Sequence, residues 1–310
     1  MKYVLLSILL LTNAFCINTD IYNDSHALII GINDYENTMT LHYAVNDAKA
    51  IQNVLINSFD FPKENVSLLI NHDATLNNIR KEFSRITKSA NANDRVLIYF
   101  AGHGQTMNLP GGGVKGYLLP YEADESELYL TSLAMDELEE ISLMSKAKHI
   151  LFLIDACYGG IATAAYRGFT TPESPNYINK ITKNMGREII TAGGKNEKVV
   201  EKAKWGHSAF TKNILNALKF GNGDLNNDNF ITANELAIYI SDKVTIDSDN
   251  QQTPQYTRMT TDEGEFVFMI NVNSNDKDNN QLTYAELLKQ NQELEAKLQH
   301  LKNLQELGDW

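Results

Sequence analysis

The chain has 310 residues, of which 43% are hydrophobic, and a formal net charge of −12 at pH 7. This length allows a large core with room for an appended segment. The acidic balance argues against binding to nucleic acid or anionic membranes, because both attract basic surfaces. The two cysteines, Cys16 and Cys157, are too few for a disulfide framework, so the core must supply the stability of the fold.

The first residues, MKYVLLSILLLTNAFC, have the pattern of an export signal. Lys2 precedes an apolar run at 3–11 that is too short to span a bilayer, and small residues follow. A buried first strand would also be apolar, but the switch to the polar INTDIYNDS favours export. We therefore expect residues 1–14 to be a signal peptide, cleaved after Ala14, and the protein to be secreted or periplasmic.

Cys16 leaves a second possibility open for the same end of the chain. Removal of residues 1–15 would leave Cys16 as the first residue, as in a membrane-anchored lipoprotein. Phe15 stands where a lipid-attachment signal has a small residue, so lipidation is the alternative to a free exported chain. In either case Cys157 would remain as an isolated thiol, which fits a reactive role better than a structural one.

Apolar runs and helical periodicity alternate along the rest of the chain. The predicted strands are HALIIGI (26–32), VSLLI (66–70), RVLIYFA (95–101), GYLLP (116–120), HILFLIDA (149–156), REIITAG (187–193) and EFVFMI (265–270). Helices are predicted at 46–59, at 75–88, from Ser132 onward, at 208–220 and at 235–244. Near-continuous apolar strands that alternate with helices predict an α/β sandwich with a mostly parallel sheet.

The C-terminal part of the chain is predicted to lie outside this domain. We expect the domain to span 24–271, followed by a polar linker at 272–281. An amphipathic helix is predicted at 282–307, with Asn291 on its leucine seam, where a buried amide can fix coiled-coil register. Dimerisation through this helix, docking on its own domain and a frayed tail all remain open.

Two chemically reactive side chains follow the ends of predicted strands. His103 follows strand 95–101 in YFAGHGQ, and Cys157 follows strand 149–156 in LIDACYGG. Ligands of an open parallel sheet bind beyond the carboxyl ends of its strands, so neighbouring strands would place imidazole and thiol across one cleft. The imidazole would activate the thiol, and the amides of Gly104 and Cys157 would donate to a developing oxyanion. Alone, either residue would more often be structural; together they predict a catalytic pair.

The strings HALIIGINDY, AVNDAKAI, VLIYFAGHGQ, GYLLP, HILFLIDACYGG, GHSAFT and GEFVFMI resemble the caspase-like cysteine peptidases, above all their metacaspase-type prokaryotic relatives. The resemblance runs from about His26 to Ile270. It implies a caspase–haemoglobinase fold, a three-layer α/β/α sandwich with a mostly parallel six-stranded sheet. It also implies a cysteine endopeptidase in which Cys157 attacks the scissile carbonyl and His103 serves as general base and acid, with no cofactor required for the chemistry.

The same resemblance suggests which substrates bind. Metacaspase-like enzymes hold arginine or lysine with acidic residues, and the matching positions here are Asp47 and Asp155. Asp155 shares a strand face with Cys157 by the period of two, and paired carboxylates suit a guanidinium. The expected partner is a protein or peptide with Arg or Lys at the cleavage site. The alternative for Asp47 is a plain helix N-terminal charge, and Ala101 departs from relatives that have serine beside the histidine.

The segment 161–186 corresponds to the family's processing loop between large and small halves. It has weak periodicity, two prolines and the basic residues Arg167, Lys180 and Lys183. Self-cleavage there is one hypothesis, and an ordinary surface loop has the same composition.

The stretch DLNNDNFITANE (224–235) resembles an EF-hand calcium loop. Its oxygen ligands would be the side chains of Asp224, Asn226, Asp228, Thr232 and Glu235 and the carbonyl of Phe230. Asn229 replaces the usual glycine at the sixth position, where asparagine tolerates the left-handed conformation. The alternative is a polar connector in which Glu235 opens a helix. Some metacaspases need calcium, but by resemblance their site is elsewhere, so that role does not transfer to this loop.

Two other functions compete with the peptidase. The first is an inactive caspase-like scaffold that binds partners through its cleft or C-terminal helix; the intact His103 and Cys157 argue against it. The second is a calcium-binding interaction module in which the thiol is incidental. No membrane-spanning segment is expected.

Overall fold

The computed structural model describes residues 21–156, 177–194, 197 and 199–270. Contacts divide the chain into two units, Met1–Ile270 and Asn271–Trp310, and all described residues belong to the first. The predicted signal peptide, Cys16, Cys157, the linker and the C-terminal helix therefore lie outside the described residues. In the part of the chain that is described, no helix is long and apolar enough to cross a membrane.

Thirteen strands are found in the described residues. They are β1 (Ser25–Gly31), β2 (Val66–Ile70), β3 (Arg95–Ala101), β4 (Gly104–Asn108), β5 (Val114–Leu118), β6 (Leu133–Ala134), β7 (His149–Asp155), β8 (Gly186–Thr191), β9 (Glu201–Lys202), β10 (His207–Ser208), β11 (Phe230–Thr232), β12 (Gln255–Arg258) and β13 (Val267–Met269).

The same residues form seven α-helices. They are α1 (Ala44–Ser58), α2 (Leu76–Ser89), α3 (Leu128–Thr131), α4 (Met135–Met144), α5 (Tyr177–Ile181), α6 (Ala209–Lys219) and α7 (Ala233–Asp247), with short 3₁₀ turns at Lys63–Asn65 and Asn71–Asp73.

The central sheet has six strands in the order β12-β8-β7-β3-β1-β2. Every neighbouring pair is parallel except β12 with β8. All seven residues of each of β1, β3 and β7 are buried, as expected for strands covered on both faces. The predicted mostly parallel six-stranded sheet is confirmed.

Alternate residues of the strands pack into two separate cores, one on each face of the sheet. Ala27 and Ile29 of β1 belong to a core with helices α1, α6 and α7. Leu28 and Ile30, the intervening residues, belong to a core with α2 and α4. Two helical layers therefore enclose the sheet, and the predicted three-layer sandwich is confirmed.

The sequence pattern predicted the wrong segment as the sixth strand of the central sheet. EFVFMI was predicted as the last strand, but only its part Val267–Met269 is extended, and it pairs with β11 outside the central sheet. The sixth strand is β12, whose sequence QYTR is half-buried and lacks an apolar run. An antiparallel edge strand needs little apolar surface, so hydrophobic pattern alone did not find it. Likewise, the segment 161–186 is not entirely loop, because 177–181 form α5.

Gly31 allows helix α1 to pack closely on the end of β1. A β-carbon at this position would lie 2.5 Å from the carbonyl oxygen of Ala44 and 2.5 Å from the β-carbon of Ala48. We expect Gly31→Ala to lower the free energy of unfolding in urea by about 2–3 kcal/mol, since overpacking displaces the helix. Gly111→Ala is the matched control, because a β-carbon there meets nothing within 4 Å. Equal losses in the two variants would contradict this role of Gly31.

Candidate active site

The strands that precede His103 and Cys157 are neighbours in the central sheet. β3 and β7 are parallel, with Ala101 opposite Asp155. Beyond these residues, the amide of Gly102 donates a hydrogen bond to the carbonyl of Asp155 at 3.2 Å. His103 therefore lies at the sheet edge where β7 ends. Cys157 follows Ala156, the last described residue of that part of the chain.

His103 is held by the loop that follows β1. Its amide donates to the hydroxyl oxygen of Tyr35 at 2.7 Å, and its Nε2 lies 2.7 Å from the carbonyl oxygen of Met39. The rings of Tyr35 and His103 are 4.9 Å apart, centroid to centroid. On the other side, the carbonyl of His103 accepts from the amide of Leu119. The imidazole is thus fixed in orientation by backbone and ring contacts.

The Met39 contact determines which imidazole nitrogen is available. A carbonyl oxygen only accepts hydrogen bonds, so Nε2 of His103 must carry a proton. In the neutral ring the lone pair then lies on Nδ1, which can accept a proton from another group. Gly104, predicted as an oxyanion donor, is the first residue of β4 and is paired opposite Leu118.

Asp47 and Asp155 both accept hydrogen bonds from the same residue, Ser208. The amide of Ser208 donates to Oδ2 of Asp47 at 3.2 Å, and its hydroxyl donates to Oδ2 of Asp155 at 2.5 Å. Asp47 lies in the first turn of α1 and Asp155 is the last residue of β7. The structure therefore brings together the two predicted specificity residues, which are 108 positions apart in the sequence.

Asp155 is buried and has spare hydrogen-bonding capacity. Its Oδ2 accepts from the hydroxyls of Ser208 and Thr211, the second at 2.6 Å. Its Oδ1 is shielded from solvent and has no hydrogen-bond partner among the described residues. Burial, followed by the negative charge of Asp47, raises the pKa of Asp155 to about 7. A buried, unpaired carboxylate oxygen is costly until a donor satisfies it.

Thr211 links this carboxylate to Tyr99 of β3. Because the Thr211 hydroxyl donates its one proton to Asp155, the Tyr99 hydroxyl must donate to Thr211 at 2.6 Å. The amide of Thr211 in turn donates to the Ser208 hydroxyl, which caps α6. The start of α6 therefore fixes the Asp155 side chain from two positions.

Asp47 is already partnered on both oxygens. Its Oδ1 lies 2.5 Å from Nδ1 of His207, whose side chain is 26% exposed while that of Asp47 is 1% exposed. Burial raises the pKa of Asp47, and the hydrogen bonds from His207 and Ser208 oppose that rise. Asp47 lies in the first turn of α1, as the alternative of a helix N-terminal charge holds, but its side chain is also buried and bonded across the fold to His207 and Ser208.

Comparison with known proteins places these features in a family. The sequence profile of the caspase domain, Peptidase_C14, matches residues 24–264. The chain belongs to the caspase domain family. The metacaspase-1 of Eremothecium gossypii is 29% identical over 148 residues, which cover 44% of this chain and 32% of that protein. The chain thus spans about a third of that relative's length.

Two solved structures share the fold of this caspase domain. One is a protein from Geobacter sulfurreducens, with a TM-score of 0.52, 17% identity, and coverage of 76% of this chain and 93% of that one. The other is caspase-1 from Spodoptera frugiperda, with a TM-score of 0.50, 14% identity, and coverage of 76% and 87%. At such identities the likeness concerns the fold alone.

The sequence did not single out several residues of this caspase domain that shape the site. Ser208 and His207 lie in GHSAFT, one of the strings that carry the family resemblance, but the only structural role predicted there was the start of a helix at 208. Glu201 is opposite Ser208 in the β9–β10 pair. Its pKa is raised by burial and then by the charge of Asp47. A third carboxylate therefore adds to the negative potential around Asp155.

The predicted calcium loop lies between α6 and α7, away from these residues in the sequence. Across the described residues, no three His, Cys, Asp or Glu side chains converge closely enough to hold a metal ion. The predicted ligands Asp224, Asp228 and Glu235 thus do not form a preformed cage in this conformation.

Proposed function

We propose that this caspase domain is a cysteine endopeptidase that cleaves peptide bonds after Arg or Lys. Cys157 is the nucleophile and His103 the general base and acid. The main support for the catalytic pair is the hydrogen bond from Nε2 of His103 to the Met39 carbonyl, which leaves Nδ1 as the basic nitrogen. His103 also lies at the edge of the sheet where β7 ends. The family match over residues 24–264 supports the class of reaction.

The reaction proceeds through a thioester. Nδ1 of His103 takes the thiol proton of Cys157, and the thiolate sulfur bonds to the scissile carbonyl carbon. The amides of Gly104 and Cys157 donate to the resulting oxyanion. As the carbon–nitrogen bond breaks, the His103 imidazolium gives its proton to the leaving amine. Water, deprotonated by His103, then hydrolyses the thioester and restores the thiol.

The preference for a basic residue rests on Asp155. Its buried Oδ1 has no partner among the residues that the structure describes, and the Asp47 and Glu201 carboxylates lie nearby; together they favour a cationic group that can donate hydrogen bonds. Guanidinium and ammonium groups satisfy both requirements. A substrate aspartate would instead meet like charge in a low-dielectric site, which is strongly unfavourable.

Fluorogenic peptides that differ only in the residue before the cleaved bond test the proposal. Peptides ending in Arg, Lys, Asp or Asn are incubated with the wild-type full chain and with Cys157→Ala, with and without calcium. We expect release after Arg and Lys only, and its loss in Cys157→Ala. Cys16→Ala is the matched control, since it removes the only other thiol and should leave the rate unchanged.

The other outcomes separate the parts of the proposal. Cleavage after Asp or Asn would keep the dyad and contradict the assignment of Asp47 and Asp155. Equal activity in Cys157→Ala would contradict the nucleophile. Absence of cleavage under all conditions, including after a limited proteolytic nick in 161–186, would indicate an inactive scaffold.

A further inference from the structure

The loop between α6 and α7 turns sharply at two asparagines. Asn227 and Asn229, the fourth and sixth residues of the stretch 224–235, have φ angles of 60° and 68°. Glycine is usual at the sixth position of an EF-hand loop because the chain turns sharply there. Asparagine adopts this left-handed conformation here, as predicted.

Asp224 and Asp228 organise the turn with their carboxylates. Asp224 accepts from the amide of Asp228 at 3.1 Å and from the amide of Asn229 at 2.9 Å. Asp228 accepts from the amide of Phe230. Each carboxylate has about four lone-pair sites, so these bonds leave oxygen lone pairs available for a ligand.

The end of the loop is anchored to the domain. Phe230–Thr232 pair with Val267–Met269, and Thr232 then caps α7. The hydroxyl of Thr232 accepts from the amide of Glu235, and Oε2 of Glu235 accepts from the amide of Thr232. This capping box holds the side chain of Glu235. Glu235 is the twelfth residue of the loop, and in EF-hands that residue supplies a bidentate carboxylate.

The buried carboxylate of Glu235 is only partly hydrogen-bonded within the described residues. It is fully buried, and its Oε1 has no hydrogen-bond partner among the described residues. A divalent cation would satisfy this unpaired oxygen and offset the negative charges of Asp224, Asp228 and Glu235.

We propose that the loop 224–235 binds Ca²⁺ through Asp224, Asn226, Asp228, the Phe230 carbonyl, Thr232 through water, and Glu235. The three carboxylates do not converge in the conformation described, in which Oε2 of Glu235 accepts a hydrogen bond from the amide of Thr232. Binding therefore requires Glu235 to rotate so that its carboxylate turns from the cap to the cation. The ion would stabilise the α6–α7 pair and is not part of the peptidase chemistry.

Calorimetry and thermal unfolding of the full chain test this site in a Cys157→Ala background, where peptidase activity cannot affect the result. We expect CaCl₂ to bind with a Kd between about 1 µM and 1 mM. At 100 times the Kd it should raise Tm by about 5 °C or more. MgCl₂ should bind at least about tenfold more weakly, because it demands a smaller octahedral site.

Glu235→Gln separates metal binding from folding. Glutamine can keep the capping box, because its amide oxygen also accepts from the Thr232 amide, but it loses the charge and the bidentate ligand. We expect its calcium Kd to rise at least about tenfold, while Tm without calcium stays within a few degrees of the parent. Asp242→Asn is the control, since Asp242 is exposed on α7 and pairs with Lys243; its Kd should not change.

Three results would overturn the proposal. The first is no heat of binding and no change in Tm at about 10 mM CaCl₂, ten times the weak end of the expected range. The second is an equal response to MgCl₂. The third is unchanged affinity in Glu235→Gln or an equal loss in Asp242→Asn. None of these results bears on the Cys157 and His103 chemistry.

Discussion

His103→Gln is expected to lower kcat/KM for Arg and Lys peptides by about 10³-fold or more, because it removes the proposed general base and acid. Glutamine retains a donor at this position, because its Nε2 can still donate to the Met39 carbonyl oxygen. In the wild type that oxygen lies 2.7 Å from Nε2 of His103. The loop after β1 should then keep its position. The rate loss measured with the peptide assay would reflect missing proton transfer and not a displaced loop.

His72→Gln is the control for this substitution, since the His72 side chain is 77% exposed and plays no part in the proposed reaction. Its kcat/KM should match that of the wild type. Unchanged Tm in both variants would exclude unfolding as the cause of the loss in His103→Gln. Substantial activity in His103→Gln, within about tenfold of the wild type, would contradict the role of the imidazole.

The sequence predicted the parts of the fold that depend on continuous apolar runs. β1, β3 and β7 are buried on both faces, so their residues are apolar almost without interruption. β4, β9, β10 and β12 were not predicted, because each is partly exposed or only two residues long. Their extended conformation is imposed by the partner strand, and their own sequences contain little of that information.

The residues of the candidate site also fall into those that the sequence identified and those that only the structure shows. His103 was identifiable because it follows a predicted strand, whereas Asp155, the last residue of β7, was assigned through its resemblance to the family's pattern. The contacts that give Asp47 and Asp155 their properties come from His207, Ser208 and Thr211, which lie more than 50 residues away in the sequence. Such contacts depend on where α6 begins relative to the sheet, which periodicity does not specify.

Asp47 and Asp155 were predicted as equivalent partners for a substrate cation, whereas the structure suggests unequal contributions. Both Asp47 oxygens are engaged, by His207 and by Ser208. Asp155 has one oxygen engaged and one that has no hydrogen-bond partner in the described part of the chain. We infer that Asp155 forms the direct contact and that Asp47 adds mainly long-range attraction.

Asp155→Asn should lower kcat/KM for Arg and Lys peptides by about 10²–10³-fold, because it removes one partner of a buried charge pair. The same variant should be more heat-stable at pH 7.5. In the folded protein the pKa of Asp155 is about 7, whereas an unfolded aspartate has a pKa of about 4. The folded state therefore holds its proton more tightly, and wild-type stability falls as pH rises from about 4 to about 7. Asparagine carries no such charge, and its amide oxygen can still accept from Ser208 and Thr211.

Measurements of Tm from pH 4 to pH 8 for the wild type and for Asp155→Asn test whether wild-type stability falls as the pH rises. The difference in Tm should be small near pH 4, where the wild-type carboxyl is protonated, and should grow in favour of Asp155→Asn up to about pH 7. Asp47→Asn serves as the comparison for activity, with a smaller loss of about tenfold, since the substrate cation would remain bonded to Asp155. A lower Tm for Asp155→Asn at pH 7.5, or a larger activity loss in Asp47→Asn, would show that Asp155 is ionised and internally paired, and that the cation binds elsewhere.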